Sequence, residues 1–218
     1  MIPLNLSRSP EGVLEVLCLG AHADDIEIGC GGTLLTLLSR QRARVSWVVF
    51  SARGQRAREA AQSAEAFLQE AESKKVALHE FPDGRFPSHR AEIKGVFEDL
   101  KASSKPDLIL THDEADLHQD HRVLGELSRE TFRDHLILGY EIPKYDGGLR
   151  SPSVFVPVDT AVRTRKIELI MESFPSQREK GWFDPPVFQG LMRLRGVECA
   201  CESGYAEGFL CRTAVVEL

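Results

Sequence analysis

Short apolar runs alternate with amphipathic stretches over the first two thirds of the chain. The run "VLEVLCLGA" (13–21) predicts a buried strand, and "GGTLLTLLSRQ" (31–41) sets Leu34, Leu37 and Leu38 at helical spacing. The β-branched and aromatic "RVSWVVFSA" (44–52) predicts a second strand, and the Ala- and Glu-rich "REAAQSAEAFLQEAE" (58–72) a helix. A shorter strand over 76–82 closes on the turn Pro82-Asp83-Gly84. The alternation continues with a helix over 91–103, a strand over 107–113, a helix over 120–133 and a strand over 135–142. It predicts an α/β fold, a Rossmann-like three-layer sandwich whose mostly parallel sheet carries helices on both faces.

From about residue 144 the pattern loosens. A loop over 144–153 leads to a strand-like 154–159, an amphipathic helix over 160–174, a helix over 183–200 opening on two prolines, and an edge-like strand over 205–218. No linker sets this part off, so the expectation is a single domain over 1–218 with a C-terminal elaboration from about 144.

Composition narrows the partners. A formal charge of -6 argues against nonspecific binding to nucleic acid or an anionic membrane. Five cysteines, at 18, 30, 199, 201 and 211, are an odd count, and Cys18 lies within an apolar strand. They read as reduced thiols, and Cys199 and Cys201 are too close for a CxxC ligand pair. The opening "MIPLNLSRSPEG" lacks the basic and apolar regions of a signal peptide, and no apolar stretch reaches the ~18–20 residues of a membrane span. The chain therefore reads as cytoplasmic; a homo-oligomer is compatible with it.

The polar residues concentrate where two strands end. In an open parallel sheet, ligands bind beyond the carboxyl ends of the strands. The first strand ends on "GAHADD" and the fourth on "THDEADLHQDHR", which places His22, Asp24, Asp25, His118, Asp120 and His121 on one rim. Asp24-Asp25 alone reads as a helix cap and first-turn acid. His112 alone is undecided, and His79 and His89 read as surface residues. Together the two loops offer imidazole and carboxylate in the number a catalytic zinc needs, and the same donor types suit ferrous iron. The run Gly29-Cys30-Gly31-Gly32 lacks GxGxxG spacing and reads as a tight entry to the following helix, not a nucleotide cradle.

"GAHADDIEIGCGGTL" resembles the "AHPDDE...GGTL" signature of the PIG-L/LmbE-like zinc-dependent de-N-acetylases, and "THDEADLHQDHR" is similar to their His-x-Asp-His motif. The segments "RGQRAREAAQSAEAFL", "RKIELIMESFPSQ" and "RGVECACESGYAEGFL" resemble further family segments in the same order. Ala23 stands where the family usually has proline, and Ile26 where glutamate is common, with Glu27 one later. The resemblance implies His22, Asp25 and His121 as ligands of Zn2+ (or Fe2+ or another divalent ion) and Asp24 as general base. It implies His118 as acid or oxyanion stabiliser, with Asp120 as its orienting partner. Arg53, Arg58 and Arg122 are candidate substrate contacts, each also compatible with a surface ion pair, and Glu59 reads as structural. The implied reaction is removal of acetyl from an N-acetylated amino sugar or glycoconjugate. The alternative is a hydratase or lyase step on a carboxylated small molecule. A module that only holds metal or sugar would need neither Asp24 nor His118.

Overall fold

The computed structural model describes residues 6 and 12–215, so most of the segment read for a signal peptide, and the last three residues of the closing strand, lie outside the described residues. The elements are β1 (Leu14–His22), α1 (Asp25–Arg40), β2 (Ala43–Ser51), α2 (Gln55–Phe67), β3 (Ser73–Leu78), α3 (Arg90–Ser103), β4 (Leu108–His112), α4 (Gln119–Thr131), β5 (Leu136–Tyr140), β6 (Val154–Pro157), α5 (Thr160–Ser173), α6 (Pro185–Glu198) and β7 (Ala206–Leu210). Single 3₁₀ turns stand at Phe86–His89 and Pro175–Gln177.

Seven strands form one mixed sheet in the order β3-β2-β1-β4-β5-β7-β6. β3 through β5 pair in parallel, and β7 runs antiparallel to both β5 and β6. Strand alternation divides the core. Val16 and Cys18 of β1 pack with residues of α1, α2, α5 and α6, while Leu17, Leu19 and Ala21 pack with residues of α3 and α4. All five cysteines are unpaired, with Cys18 and Cys30 buried. Among the described residues no helix is long and apolar enough to cross a membrane.

Two sequence expectations need correction, and one ion pair explains both. α1 begins at Asp25, so the glycine run lies inside the helix, where Cys30 breaks the helical geometry (φ -144°, ψ 15°). The glycines permit close packing: a Cβ on Gly29 would overlap the Tyr140 ring, and one on Gly32 would lie 2.9 Å from Glu207 Oε1. Ile28 and Gly32 would bond to each other in an unbroken helix. Here the Ile28 carbonyl accepts from Lys166 Nζ (2.7 Å), and the amides of Gly32 and Thr33 donate to the Glu207 carboxylate (2.8 and 2.7 Å). Lys166 closes the network on Glu207 at 2.6 Å. Glu207 therefore sits buried in β7, which is paired on both sides; the edge strand at this end of the sheet is β6. A strand with a charged residue and a glycine reads as an edge until the partners of that charge are known.

Truncating one member of a buried pair leaves the other charge uncompensated, at a cost of about 3–5 kcal/mol. Glu207→Ala is expected to lose stability on that scale in urea unfolding. The double variant Lys166→Met/Glu207→Gln should recover part of it, whereas a loss under ~1 kcal/mol for Glu207→Ala would contradict this role.

Candidate metal centre and active-site cavity

β1 and β4 are parallel neighbours, so their carboxyl ends, at His22 and His112, open on the same rim. The loop after β4 enters α4 with His118 at the N-cap and His121 in the first turn. α1 starts directly after β1, which brings Asp25 beneath His22, whose backbone N–H donates to Asp25 Oδ2 at 2.7 Å.

Three donor atoms converge. His22 Nδ1 lies 3.2 Å from His121 Nε2 and 3.2 Å from Asp25 Oδ2, and His121 Nε2 lies 3.5 Å from Asp25 Oδ2. Tetrahedral ligands at bond lengths of about 2.0–2.1 Å stand about 3.3–3.4 Å apart. The His22–Asp25–His121 set therefore fits a divalent cation. Its two imidazoles and one carboxylate suit zinc and ferrous iron alike.

The surroundings point both rings the right way. His121 Nδ1 meets Asp116 Oδ2 at 3.0 Å, which leaves Nε2 to face the cluster. His22 Nε2 meets Asp83 Oδ1 (3.0 Å) and Asp120 Oδ2 (3.3 Å), which leaves Nδ1 inward. Burial, then the adjacent His112, pushes His121 down to about 3, so the ring is held in the neutral form that ligates metal. Burial opposes charge on Asp25, but His121, His112 and His22 outweigh it and hold the carboxyl well below its usual range.

The two aspartates after β1 behave differently. Asp24 occupies the N-cap position of α1, yet its side chain caps nothing. Its Oδ1 instead pairs with Arg56 Nη2 at 2.8 Å. Burial raises its proton affinity and Arg56 partly offsets this. Asp24 is thus a buried carboxylate outside the donor set with a heightened pull on protons, which the cap reading does not explain.

Asp120 departs from its expected part. Its carboxylate faces His22, not His118, and accepts from the amides of Gly84 (2.6 Å) and Phe86 (3.1 Å), fixing the loop after β3. Its link to His118 is its own backbone N–H, which donates to His118 Nδ1 at 3.3 Å. The proton of a neutral His118 therefore sits on Nε2. Burial and the nearby His22 favour that neutral form.

A cavity of about 560 Å³ opens on this cluster, lined among others by Asp24, Arg53, Arg56, Lys144, Gln177, Lys180 and Trp182. Arg53 sits on its wall, 3.5 Å from Glu80. Arg58 is exposed and outside the lining, and Arg122 Nη1 donates to the Asp116 and Leu117 carbonyls, bracing the loop before α4. Sequence reasoning missed Arg56. The buried positions Glu59, Ala60 and Ser63 mark the inner face of α2, and Arg56 shares that helical phase while Arg58 does not. It also missed Asp116 and its partner Lys144, whose Nζ lies 2.9 Å from Asp116 Oδ1. His112, left open, is buried, with its ring stacked 3.9 Å from that of His121. Glu59 is structural: it accepts from the Ser176 amide (3.0 Å) and hydroxyl (2.5 Å), pinning the turn that carries Gln177.

The fold and this cluster define an α/β protein with a candidate metal-binding cluster of imidazoles and carboxylates at the carboxyl rim of its sheet. Residues 17–132, just over half of the chain, match the PIG-L family, described as GlcNAc-PI de-N-acetylase, and the chain belongs to that family. No curated relative matches its sequence. The conserved protein TT1542 from Thermus thermophilus superposes with a TM-score of 0.71 at 21% identity, over 94% of this chain and 98% of the other. The N,N'-diacetylchitobiose deacetylase of Pyrococcus horikoshii does so at 0.69 and 19%, over 93% and 85%. GalB, a 4-carboxy-2-hydroxymuconate hydratase from Pseudomonas putida, does so at 0.70 and 17%, over 94% and 99%. At these identities the likenesses establish the fold, and they span more than one reaction.

A ligand of the folded state stabilises by about 2.7 kcal/mol at a hundredfold excess over its Kd, or roughly 5–10 °C in Tm for a chain of this size. Zinc is expected to raise the Tm of the metal-free protein on that scale and to leave His121→Ala unmoved. An equal rise in His121→Ala would place the ion elsewhere.

Proposed function

We propose that the protein is a metal-dependent amide hydrolase that releases acetate from an N-acetylated amino sugar or sugar conjugate. The observation that carries this reading is the pairing of a His₂Asp donor triangle with Asp24, an adjacent buried carboxylate kept out of the triangle by Arg56. The family described as GlcNAc-PI de-N-acetylase and the chitobiose deacetylase likeness support the amino-sugar substrate. His22, Asp25 and His121 would hold the ion, zinc being our assignment. When bound, such an ion supplies Lewis acidity, making a water nucleophilic near neutral pH and polarising the amide carbonyl.

The chain's own groups do the rest. Asp24 Oδ1 is engaged by Arg56, so Oδ2 accepts the proton of the attacking water and passes it to the leaving amine nitrogen. His118, with its proton on Nε2, donates a hydrogen bond to the developing oxyanion. Of the two parts the sequence left to His118, acid or oxyanion donor, its hydrogen bonding favours the second. Asp116 and Asp120 hold the two ligand imidazoles in register. The GalB likeness keeps a second reading in view, hydration of a carboxylated small molecule, and acetate release separates the two.

The two aspartates test the assignment. Asp24→Asn is expected to lose ~10²- to 10⁴-fold in turnover of an N-acetyl sugar with bound metal little changed. Asp25→Asn is expected to lose metal and activity together. Near-wild-type turnover in Asp24→Asn would remove Asp24 as the base.

A further inference from the structure

Four cationic side chains line the cavity: Arg53, Arg56, Lys144 and Lys180. Two are neutralised inside the protein, Arg56 by Asp24 (2.8 Å) and Lys144 by Asp116 (2.9 Å). Arg53 has only Glu80 at 3.5 Å, with both side chains about two-thirds exposed (65% and 67%). Among the described residues Lys180 has no carboxylate within ion-pair distance, and its Nζ stands 6.0 Å from the centroid of the Trp182 ring, another cavity-lining side chain. The acidic residues of the lining are already engaged: Asp25 within the donor triangle, Asp24 with Arg56, and Asp83 with His22.

The turn below Lys180 adds an independent sign of a ligand. Gln177 is 5% exposed, lines the cavity, and its Oε1 is buried without a hydrogen-bond partner, while its Nε2 is used on Ser176 Oγ (2.9 Å). Lys180 N donates to the Gln177 carbonyl at 2.9 Å, so one short turn, pinned by Glu59, presents both residues. A buried acceptor left open costs free energy unless a ligand donor meets it, and a sugar hydroxyl is such a donor. A neutral acetamido sugar would satisfy Gln177 but would leave Lys180 without an ion-pair partner and Arg53 with only the exposed Glu80.

We propose that the substrate carries an anionic group, a carboxylate or a phosphate, bound at this wall by Lys180 and Arg53 beside Trp182, with a sugar hydroxyl on Gln177 Oε1 and the acetamido group at the His22–Asp25–His121 end. The proposal deepens the deacetylase reading and rests on it. An ammonium paired with a substrate anion at a partly exposed site contributes a several-fold to roughly tenfold preference, weakened by salt.

The experiment measures acetate release by the zinc-loaded protein from N-acetylglucosamine, its 1-phosphate, its 6-phosphate and N-acetylmuramate. At least one acidic sugar is expected to exceed the neutral one in kcat/KM by roughly tenfold at low salt. That ratio should fall toward one in high salt, and Lys180→Glu should reduce or invert it. Lys180 is exposed, and a thermal melt verifies the fold of the variant. The phosphate and lactyl arms distinguish the two anion chemistries. A neutral sugar turned over as well as every acidic one, or a preference that Lys180→Glu leaves unmoved, overturns the proposal and leaves the deacetylase reading standing. Acetate from none of the four overturns both.

Discussion

A carboxylate buried at the end of a strand must be surrounded by donors or lose its charge, and Asp25 is the one on which this site turns. It is 3% exposed and takes the His22 amide, while His22, His112 and His121 approach the same Oδ2. These partners come from β1, the end of β4 and the start of α4, so a single oxygen ties together the two loops that a parallel sheet brings to one rim. Three imidazoles crowded around one carboxylate are mutually repulsive if protonated. Burial and this crowding keep His121 neutral, and a divalent cation would satisfy the same lone pairs at once.

Much of the rest of the chain keeps those loops in place. Asp116 and Asp120 fix the rings by their second nitrogens, and each carboxylate is itself held, by Lys144 and by the amides of Gly84 and Phe86. The C-terminal third braces the frame. Lys166 and Glu207 satisfy α1 where it kinks, directly below the turn bearing Asp24 and Asp25. Arg195 grips Glu141 with two contacts, at 2.8 and 2.6 Å, at the end of β5 and next to the cavity residues Ile142 and Lys144. Two buried ion pairs thus connect the late helices to the rim.

The regular part of this architecture was legible because hydrophobic period tracks burial. β1, β2, β4 and β5 fall within a few residues of their apolar runs, and the two polar loops share a rim because each follows the carboxyl end of a strand, the ligand set within them being implied by the family resemblance. What escaped the sequence depends on distant partners. Glu207 looks like an edge residue because Lys166, 41 positions away, does not announce itself. The glycine run looks like a tight entry to the following helix because nothing local reveals that Tyr140 and Glu207 pack against it. The sequence reading names Arg58 and not Arg56, although the phase of α2 turns Arg56 inward, and the resemblance gives Asp120 to nearby His118 although its carboxylate reaches back to β1.

The proposed function requires one cation held by two imidazoles and a carboxylate at the end of the first strand. X-ray absorption spectroscopy of protein loaded with one equivalent of zinc tests it most directly. A shell of nitrogen and oxygen at about 2.0–2.1 Å with the outer scattering of two imidazoles is expected, one imidazole being lost in His22→Ala. A sulfur shell near 2.3 Å, or an oxygen-only shell unchanged by that substitution, would contradict it.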